Sequence, residues 1–264
     1  MIKRNVVLSI LLSCFFFVNV AHAQAKDWWT PHGVLRWDWQ LQSPHDFMRS
    51  VDVIGLDVFD TDAKTVQLLK ARGVRVICYI NVGAWENWRS DAHMFPSEVI
   101  GNDYDGWDGE KWLDIRQIKT LAPIIGKRLD ICAGKGFDGV EPDNMDSFWE
   151  DTGFDLTRQD QLSYNLWLAE QAHARGLSIG QKNAPDLAGD LAPYFDWAMT
   201  EDCFADEWCE EMQSYIKDRK SVFAAEYTDN IRRIDAYCEH ANAAGFSLIL
   251  KTRDLDKWIE TCGR

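Results

Sequence analysis

The sequence is poor in positive charge. Its 264 residues include 28 Lys or Arg against 42 Asp or Glu, which gives a formal net charge of −14. Phosphate backbones repel so acidic a chain, and we therefore expect no nucleic-acid binding. The same charge favours solubility, and it can also attract a cationic substrate, so both interpretations stay open.

Long hydrophobic runs are also scarce. One apolar run, residues 6–20, follows two basic residues and precedes a small-x-small triplet at 21–23, the order typical of a cleavable secretory signal. It spans about 15 residues, fewer than the roughly 20 that cross a bilayer. We predict that residues 1–23 are removed and that the protein is secreted or periplasmic, without stable membrane insertion. A lipid anchor at Cys14 is the weaker alternative, because the apolar run continues past it.

Linkers, repeats and metal-binding patterns are missing from the rest of the chain. Without a Pro-, Ser- or Gly-rich break, residues 24–264 are predicted to form one domain, expected to be a monomer. Neither Cys-x-x-Cys nor His-x-x-x-His spacing occurs, so no metal and no cofactor is predicted.

The even number of cysteines after residue 23 indicates disulfides in an exported protein. The spacing favours three pairs, of which the last could instead be two buried thiols: Cys203 with Cys209, Cys238 with Cys262, and Cys78 with Cys132.

Short runs rich in Val, Ile, Phe and Tyr alternate with segments of helical periodicity, which is typical of parallel strands joined by helices. The strands are predicted at residues 34–41, 53–59, 74–82, 138–143, 177–183, 197–201, 222–227 and 247–251. The helices are predicted at residues 63–72, 118–135, 158–175, 208–220 and 230–244. Eight strands indicate an α/β fold of the (β/α)8 TIM barrel type, with residues 112–115 in an insertion near its mouth. An open doubly wound sheet competes less well, because no Gly-rich turn follows the first strand.

Active-site groups of such barrels lie at the carboxyl ends of the strands. Nearly every predicted strand finishes in polar side chains, which indicates a polar pocket: Asp38, Gln40, Asp57, Tyr79, Asn81, Glu141, Asp143, Lys182, Asn183, Glu201, Asp202, Glu226 and Lys251. Because side chains alternate along a strand, Glu141 and Asp143 share one face, with Glu141 about one layer deeper and within reach of Lys182 or Lys251.

Two carboxylates on different strands suit glycosidic cleavage, which needs a proton donor and a second carboxylate to attack the sugar or activate water. Asp143 and Glu201 are the candidates, and Glu141 is a rival. Several tryptophans are predicted near the upper loops, where flat rings could stack on sugars, although about half of all tryptophans should fill the core: Trp37, Trp39, Trp85, Trp88, Trp107 and Trp149.

An ordered set of motifs resembles glycoside hydrolase family 114. The motifs, in chain order, are WDWQL at 37–41, VIGLD at 53–57, CYINVGA at 78–84, WLDIR at 112–116, GFDGVEPDN at 136–144, IGQKN at 179–183 and EDCF at 201–204. The resemblance implies a (β/α)8 barrel and endo-α-1,4-polygalactosaminidase activity with retention at the anomeric carbon. Deacetylated galactosamine is cationic near neutral pH, so it suits an acidic enzyme.

The resemblance also implies residue roles. Asp143 would be the nucleophile and Glu201 the acid/base, although the reverse assignment stays open, and Glu201 should have a raised pKa. The matched polar positions would line the sugar subsite: Gln40, Asp57, Tyr79, Asn81, Lys182 and Asn183. We add Glu141 and Glu226 as substrate-binding candidates from their places at strand ends. Asp38 stands where the family pattern has Gln, so this part of the subsite should differ.

Two other functions compete with hydrolysis. A non-catalytic carbohydrate-binding barrel would use the same aromatic and polar rim, but it has no need of a matched acid and nucleophile. A metal-assisted sugar isomerase or deacetylase would draw on Asp57, Glu141, Asp143 and Glu201.

Overall fold

The computed structural model describes residues 27–263. The predicted signal segment, residues 1–23, lies outside them. Within the described residues, no helix is long and apolar enough to cross a membrane.

The strands that form the central sheet are all parallel except the last. In chain order the strands are β1 (Trp37–Gln40), β2 (Val53–Asp57), β3 (Arg75–Asn81), β4 (Ala84–Glu86), β5 (Ile100–Asp103), β6 (Glu110–Leu113), β7 (Gly139–Asp143), β8 (Ser178–Lys182), β9 (Trp197–Glu201), β10 (Val222–Tyr227), β11 (Phe246–Lys251) and β12 (Glu260–Thr261). The central sheet runs β1-β2-β3-β7-β8-β9-β10-β11, with β12 antiparallel on β11. The eight predicted strands are thus confirmed.

The sheet curls until its last long strand meets its first. Trp37 Nε1 on β1 donates to the carbonyl oxygen of Ser247 on β11 at 2.7 Å, and the backbone N–H of Leu35 donates to Ser247 Oγ at 2.9 Å. These contacts bring β11 beside β1, so the strands surround a common interior, as predicted for the (β/α)8 barrel.

The helices connect successive strands on the outside. They are α1 (Ala63–Ala71), α2 (Ile118–Lys135), α3 (Arg158–His173), α4 (Ala188–Leu191), α5 (Gln213–Lys217) and α6 (Asp235–Ala244). The first three predicted helices are confirmed to within two residues. α3 begins at a capping box in which the side chains and backbones of Thr157 and Asp160 bond reciprocally.

Two helix predictions are wrong in extent. Residues 208–220 divide into a 3-10 turn at Cys209–Met212 and the five-residue α5. α6 begins five residues later than predicted, because the N–H groups of Asn230 and Ile231 both bond to the carbonyl of Tyr227 and form a turn there.

Apolar side chains pack in two layers. One layer lies between sheet and helices, and the other fills the barrel interior with rings from alternate positions of β1, β9 and β10, including Trp37, Trp39, Trp197 and Phe223. Glycines on neighbouring strands leave room for them. A Cβ on Gly55 would lie 2.8 Å from Trp39 Cδ1. The barrel interior is therefore closely packed below its mouth.

The three favoured disulfides are all present. Cys78–Cys132 joins β3 to α2, Cys203–Cys209 closes the loop after β9, and Cys238–Cys262 ties the C-terminal segment to α6. Cys78 faces the helices, as strand alternation predicts for a neighbour of inward-facing Tyr79.

An inserted sheet stands between β3 and α2. Its strands β4, β6 and β5 pair antiparallel in that order. The apolar run predicted as an insertion at 112–115 begins in β6, as part of a second small sheet.

Candidate active site

A cavity of about 1550 Å³ lies at the carboxyl ends of the barrel strands. Residues from seven of these strands line it, together with residues of the inserted sheet: Trp39 on β1, Asp57 on β2, Tyr79 on β3, Asp143 on β7, Lys182 on β8, Glu201 on β9 and Tyr227 on β10. The cavity therefore occupies the place where barrel enzymes carry their chemistry.

The ammonium group of Lys182 forms the centre of the site. Its Nζ lies 2.8 Å from Asp143 Oδ1 and 2.9 Å from Glu201 Oε2, and 4.7 Å from the ring centre of Trp39 beneath it. The Lys182 side chain is 3% exposed, whereas those of Asp143 and Glu201 are 21% and 25% exposed. The two carboxylates thus meet at a buried cation and still face the cavity.

Each of the two carboxylates has its own tyrosine. Tyr79 Oη donates to Asp143 Oδ2 at 2.9 Å, and Tyr227 Oη donates to Glu201 Oε1. Asn183 holds Glu201 from both sides, since its Nδ2 donates to Oε2 at 3.1 Å and its Oδ1 accepts the Glu201 backbone N–H at 2.9 Å. Every carboxylate oxygen of the pair therefore has a fixed partner.

The pKa of Glu201 is lowered, and the expectation of a raised value is wrong for the substrate-free protein. Burial by itself raises this pKa, but the Lys182 ammonium and the hydrogen bond from Tyr227 lower it by more. The pKa of Lys182 would be lowered by burial, yet Asp143 and Glu201 raise it well above its usual value. A charged lysine therefore keeps Glu201 ionised before substrate enters.

Glu141, the rival carboxylate, lies below the cavity and does not line it. Its side chain is 1% exposed, and its Oε1 contacts Lys182 Nζ at 3.4 Å. Burial, only partly opposed by Lys182, raises the pKa of Glu141 to about 8. Glu141 therefore contacts the lysine from below, whereas Asp143 is at the cavity surface.

Four of the eight predicted substrate-binding residues line the cavity, and four do not. Asp57, Tyr79, Lys182 and Asn183 are at its surface, whereas Gln40, Asn81, Glu141 and Glu226 are behind it. Asn81 is on the inward face of β3, but its Nδ2 donates to Glu110 at 2.6 Å and its Oδ1 accepts the N–H of Ala84. It therefore holds the inserted sheet against the barrel.

Gln40 and Glu226 lie on the outward faces of their strands. Gln40 bonds to Asp38 and to the backbone of Asp46. Glu226 accepts the N–H groups of Phe204 and Ala205 at 2.9 and 3.0 Å, and it is fully buried. Their neighbours Trp39 and Tyr227 take the inward positions, so the expected contact of these two residues with substrate is not supported.

Asp38, the departure from the family pattern, is fully buried between two cations. Lys251 Nζ lies 2.9 Å from its Oδ1 and Arg49 Nε 2.9 Å from its Oδ2. It does not line the cavity. The expected change of the sugar subsite at this position is therefore not supported, because Asp38 belongs to buried ion pairs behind the cavity wall.

Two carboxylates of the cavity wall are not among the residues predicted from the sequence. Glu110 accepts bonds from Asn81 and Asn144, and Asp146 follows Asp143 by three residues. Burial and the charge of Asp143 raise the pKa of each to about 7. Neither residue stands at the end of a barrel strand, the feature that identifies the other candidates in the sequence. The family motif at 136–144 ends two residues before Asp146.

Negative charge dominates the cavity. Of the side chains that line it, eleven are Asp or Glu and three are Lys or Arg. Arg89 neutralises part of this charge by pairing with Asp57 and Glu86 at 2.8 Å. The remaining excess suits a cationic ligand more than an anionic one. Within residues 27–263 no three or more His, Cys, Asp or Glu side chains are placed to hold a metal ion.

Comparisons with known proteins agree with the barrel fold. A crystal structure of Ega3 from Aspergillus fumigatus in complex with galactosamine is 34% identical and matches with a TM-score of 0.85, covering 92% of this chain and 100% of that one. The glycoside hydrolase domain of PelA from Pseudomonas aeruginosa shares the fold at 15% identity, with a TM-score of 0.69 over 86% of this chain and 97% of that one.

A sequence relative is more distant than Ega3. An uncharacterized protein of Deinococcus radiodurans is 26% identical over 237 residues, which cover 79% of this chain and 75% of the relative. A family profile described as glycoside-hydrolase family GH114 matches residues 18–264. With the barrel and its carboxylate-lined cavity, this match shows that the chain is a glycosidase and belongs to glycoside-hydrolase family GH114.

Proposed function

We propose that the protein is a secreted enzyme that hydrolyses α-1,4-linked galactosamine-containing polysaccharide with retention of anomeric configuration. The observation that carries the proposal is the contact of one ammonium group, Lys182 Nζ, with both Asp143 and Glu201 at the cavity surface. Ega3, which is 34% identical, binds galactosamine, and this supports the choice of sugar.

The shared lysine limits the distance between the two carboxylates. Asp143 Oδ1 and Glu201 Oε2 lie 2.8 and 2.9 Å from the same nitrogen, so these two oxygens cannot be farther apart than the sum of the two distances. Retaining glycosidases hold their carboxyl groups roughly 5 to 5.5 Å apart, whereas inverting enzymes need about 6.5 to 9.5 Å to admit a water molecule. The close pair supports retention.

The proposed reaction has two steps. In the first, Glu201 gives a proton to the glycosidic oxygen while Asp143 attacks the anomeric carbon, which breaks the glycosidic bond and forms a glycosyl ester. In the second, Glu201 takes a proton from water, the water oxygen attacks the same carbon, and Asp143 leaves as a carboxylate. Tyr79 and Lys182 hold Asp143 in position through both steps.

Glu201 must gain a proton before the first step. In the free protein the ammonium group of Lys182 keeps the pKa of Glu201 low. We propose that substrate binding weakens the contact between Lys182 and Glu201. As the sugar displaces water and Asp143 approaches the anomeric carbon, Lys182 follows Asp143. Glu201 is then desolvated and has lost its contact with the ammonium group, and both changes raise its pKa.

The charge of the cavity supports a cationic polymer as substrate. Glu110 and Asp146 flank Asp143, and no Lys or Arg among the described residues pairs with the Glu110 carboxylate within 4.0 Å. An amino sugar would bring an ammonium group to this wall. The disulfides and the N-terminal sequence support export, since disulfides persist in oxidising compartments.

The test measures reducing ends released from deacetylated and fully N-acetylated α-1,4-galactosamine polymers. We expect preference for the deacetylated polymer and an α-anomeric first product by NMR. Asp143→Asn and Glu201→Gln should each lower kcat by about 10² to 10⁴ or more. Glu170→Gln, the same exchange on the exposed face of α3, should change nothing. Full activity in either site variant would refute the assignment, and binding without turnover by the unaltered protein would favour a carbohydrate-binding barrel.

A further inference from the structure

The inserted sheet supplies a large part of the cavity wall. Nine cavity-lining residues come from between the start of β4 and the end of β6: Glu86, Trp88, Arg89, Ser90, Tyr104, Trp107, Asp108, Glu110 and Trp112. The barrel alone already provides the residues of the proposed reaction. The insertion therefore enlarges the site beyond what cleavage of one bond requires.

The four tryptophans of the insertion fall into two kinds. Trp85 Nε1 donates to the carbonyl of Ala92 at 3.0 Å, and Trp112 is 5% exposed with Tyr104 against it at 4.5 Å between ring centres. These two rings stabilise the sheet. Trp88 and Trp107 are each 50% exposed and face the cavity. Their exposed surface adds nothing to the packing of the sheet.

The loops that carry Trp88 and Trp107 are joined to each other. The N–H of Asn87 donates to the carbonyl of Gly109 at 3.0 Å. Gly109 has a φ of 87°, and a Cβ there would lie 2.4 Å from Asn87 Nδ2, so only glycine allows this approach. The backbones of the two loops are therefore joined before any ligand arrives, which lowers the entropic cost of ordering them on binding.

The insertion is also joined to the catalytic strand. Glu110, three residues after Trp107, accepts a hydrogen bond from Asn144 Nδ2 at 3.0 Å, and Asn144 follows Asp143 directly. A polymer that places one sugar at Asp143 can thus continue past Glu110 towards Trp107. Asp108 adds a further carboxylate on this route.

We propose that Trp88 and Trp107 form a second binding area, remote from the cleaved bond, on which rings of the same amino-sugar polymer stack. The proposal rests on the function proposed above. Indole faces bind the apolar faces of sugar rings, and they also attract ammonium groups through cation–π contacts. The area makes the enzyme select long internal stretches of chain over short oligosaccharides.

The experiment compares two substrates and matched tryptophan variants. The substrates are long deacetylated α-1,4-galactosamine polymer and the shortest oligosaccharide of the same sugar that the unaltered enzyme cleaves. Trp88→Ala and Trp107→Ala should each lower kcat/KM on the polymer by about 2- to 10-fold, through KM, from the loss of one stacking contact. On the short substrate both variants should match the unaltered enzyme, and Trp107→Phe should recover most of the loss.

Trp149→Ala is the matched control. Trp149 is 66% exposed but does not line the cavity, so its removal should leave both substrates unaffected. Polymer kinetics of Trp88→Ala and Trp107→Ala equal to those of this control would overturn the inference, as would equal losses on both substrates. An unaltered enzyme that cleaves neither the polymer nor any oligosaccharide of this sugar would refute the proposed function itself, and the inference with it.

Discussion

Replacement of Lys182 by methionine tests how the central cation controls the proposed acid. Methionine nearly keeps the length and volume of the side chain and removes its charge. The contact at 2.9 Å from Lys182 Nζ to Glu201 Oε2 is then lost, and with it the main influence that lowers the pKa of Glu201. Burial continues to raise this pKa, so the Lys182→Met variant should have a Glu201 that titrates at higher pH.

The direction of the shift follows from the geometry. An opposite charge within about 4 to 6 Å lowers a carboxyl pKa by about 1 to 3 units, and each unit corresponds to about 1.4 kcal/mol. The Glu201 side chain is 25% exposed and keeps its bond from Tyr227, so loss of the ammonium group raises the pKa of Glu201 while this hydrogen bond continues to oppose the rise.

The assay is the pH dependence of kcat/KM. Glu201 must be protonated for the first step, so activity falls as pH rises through the pKa of Glu201. In Lys182→Met this fall should move to higher pH, because the neighbouring positive charge is lost. Titration of the substrate amine is common to both proteins and cancels in the comparison. Carboxyl NMR of labelled protein measures the same pKa without turnover.

Lys251→Met is the matched control for this prediction. Lys251 is also buried and paired with a carboxylate, but its partner is Asp38, which does not line the cavity. This variant should lose stability and keep the pH profile. If the fall of activity in Lys182→Met stays in place or moves to lower pH, Glu201 is not the group that donates the proton.

Two further predictions concern stability. Removal of the disulfide Cys78–Cys132, whose cysteines are 54 residues apart, should lower the free energy of unfolding by about 4 kcal/mol. Removal of Cys203–Cys209, whose cysteines are 6 residues apart, should lower it by about 2 kcal/mol, because a shorter loop restricts the unfolded chain less. Urea denaturation of variants with both cysteines of a pair replaced by alanine measures the two losses. The pKa of Glu141 is about 8 in the folded protein, far above the pKa of a glutamate in the unfolded chain. Between about pH 5 and 8 the folded state therefore keeps a proton that the unfolded state has lost, and the free energy of unfolding should fall as pH rises through this range. Glu141→Gln, which has no such proton to lose, should show a smaller fall.

The barrel could be predicted from the sequence because its strands are short, apolar and bounded by glycine or polar residues. All eight are present, and three helices end within two residues of prediction. The helix predicted at 208–220 is wrong, because the disulfide Cys203–Cys209 and the turn after it interrupt a segment whose composition alone is helical. Tertiary constraints of this kind leave no mark on local periodicity.

The site was predictable in its centre and less so in its walls. Asp143, Glu201 and Lys182 meet as their places at strand ends indicate. Gln40 and Glu226 do not face the cavity, and strand alternation already contained the reason, since Trp39 and Tyr227 beside them occupy the inward positions. Glu110 and Asp146 could not be found in this way, because an insertion and a loop bring them to the cavity.

The close packing of Gly55 against Trp39 has a consequence for how the family can change over time. Trp39 forms the surface beneath Lys182, and a Cβ at position 55 would lie 2.8 Å from its ring. Any larger residue at 55 would displace the ring that lies beneath Lys182, the lysine that contacts both Asp143 and Glu201. The two positions should therefore be inherited as a pair, so that relatives with a side chain at 55 carry a smaller residue at 39 and support their lysine in another way.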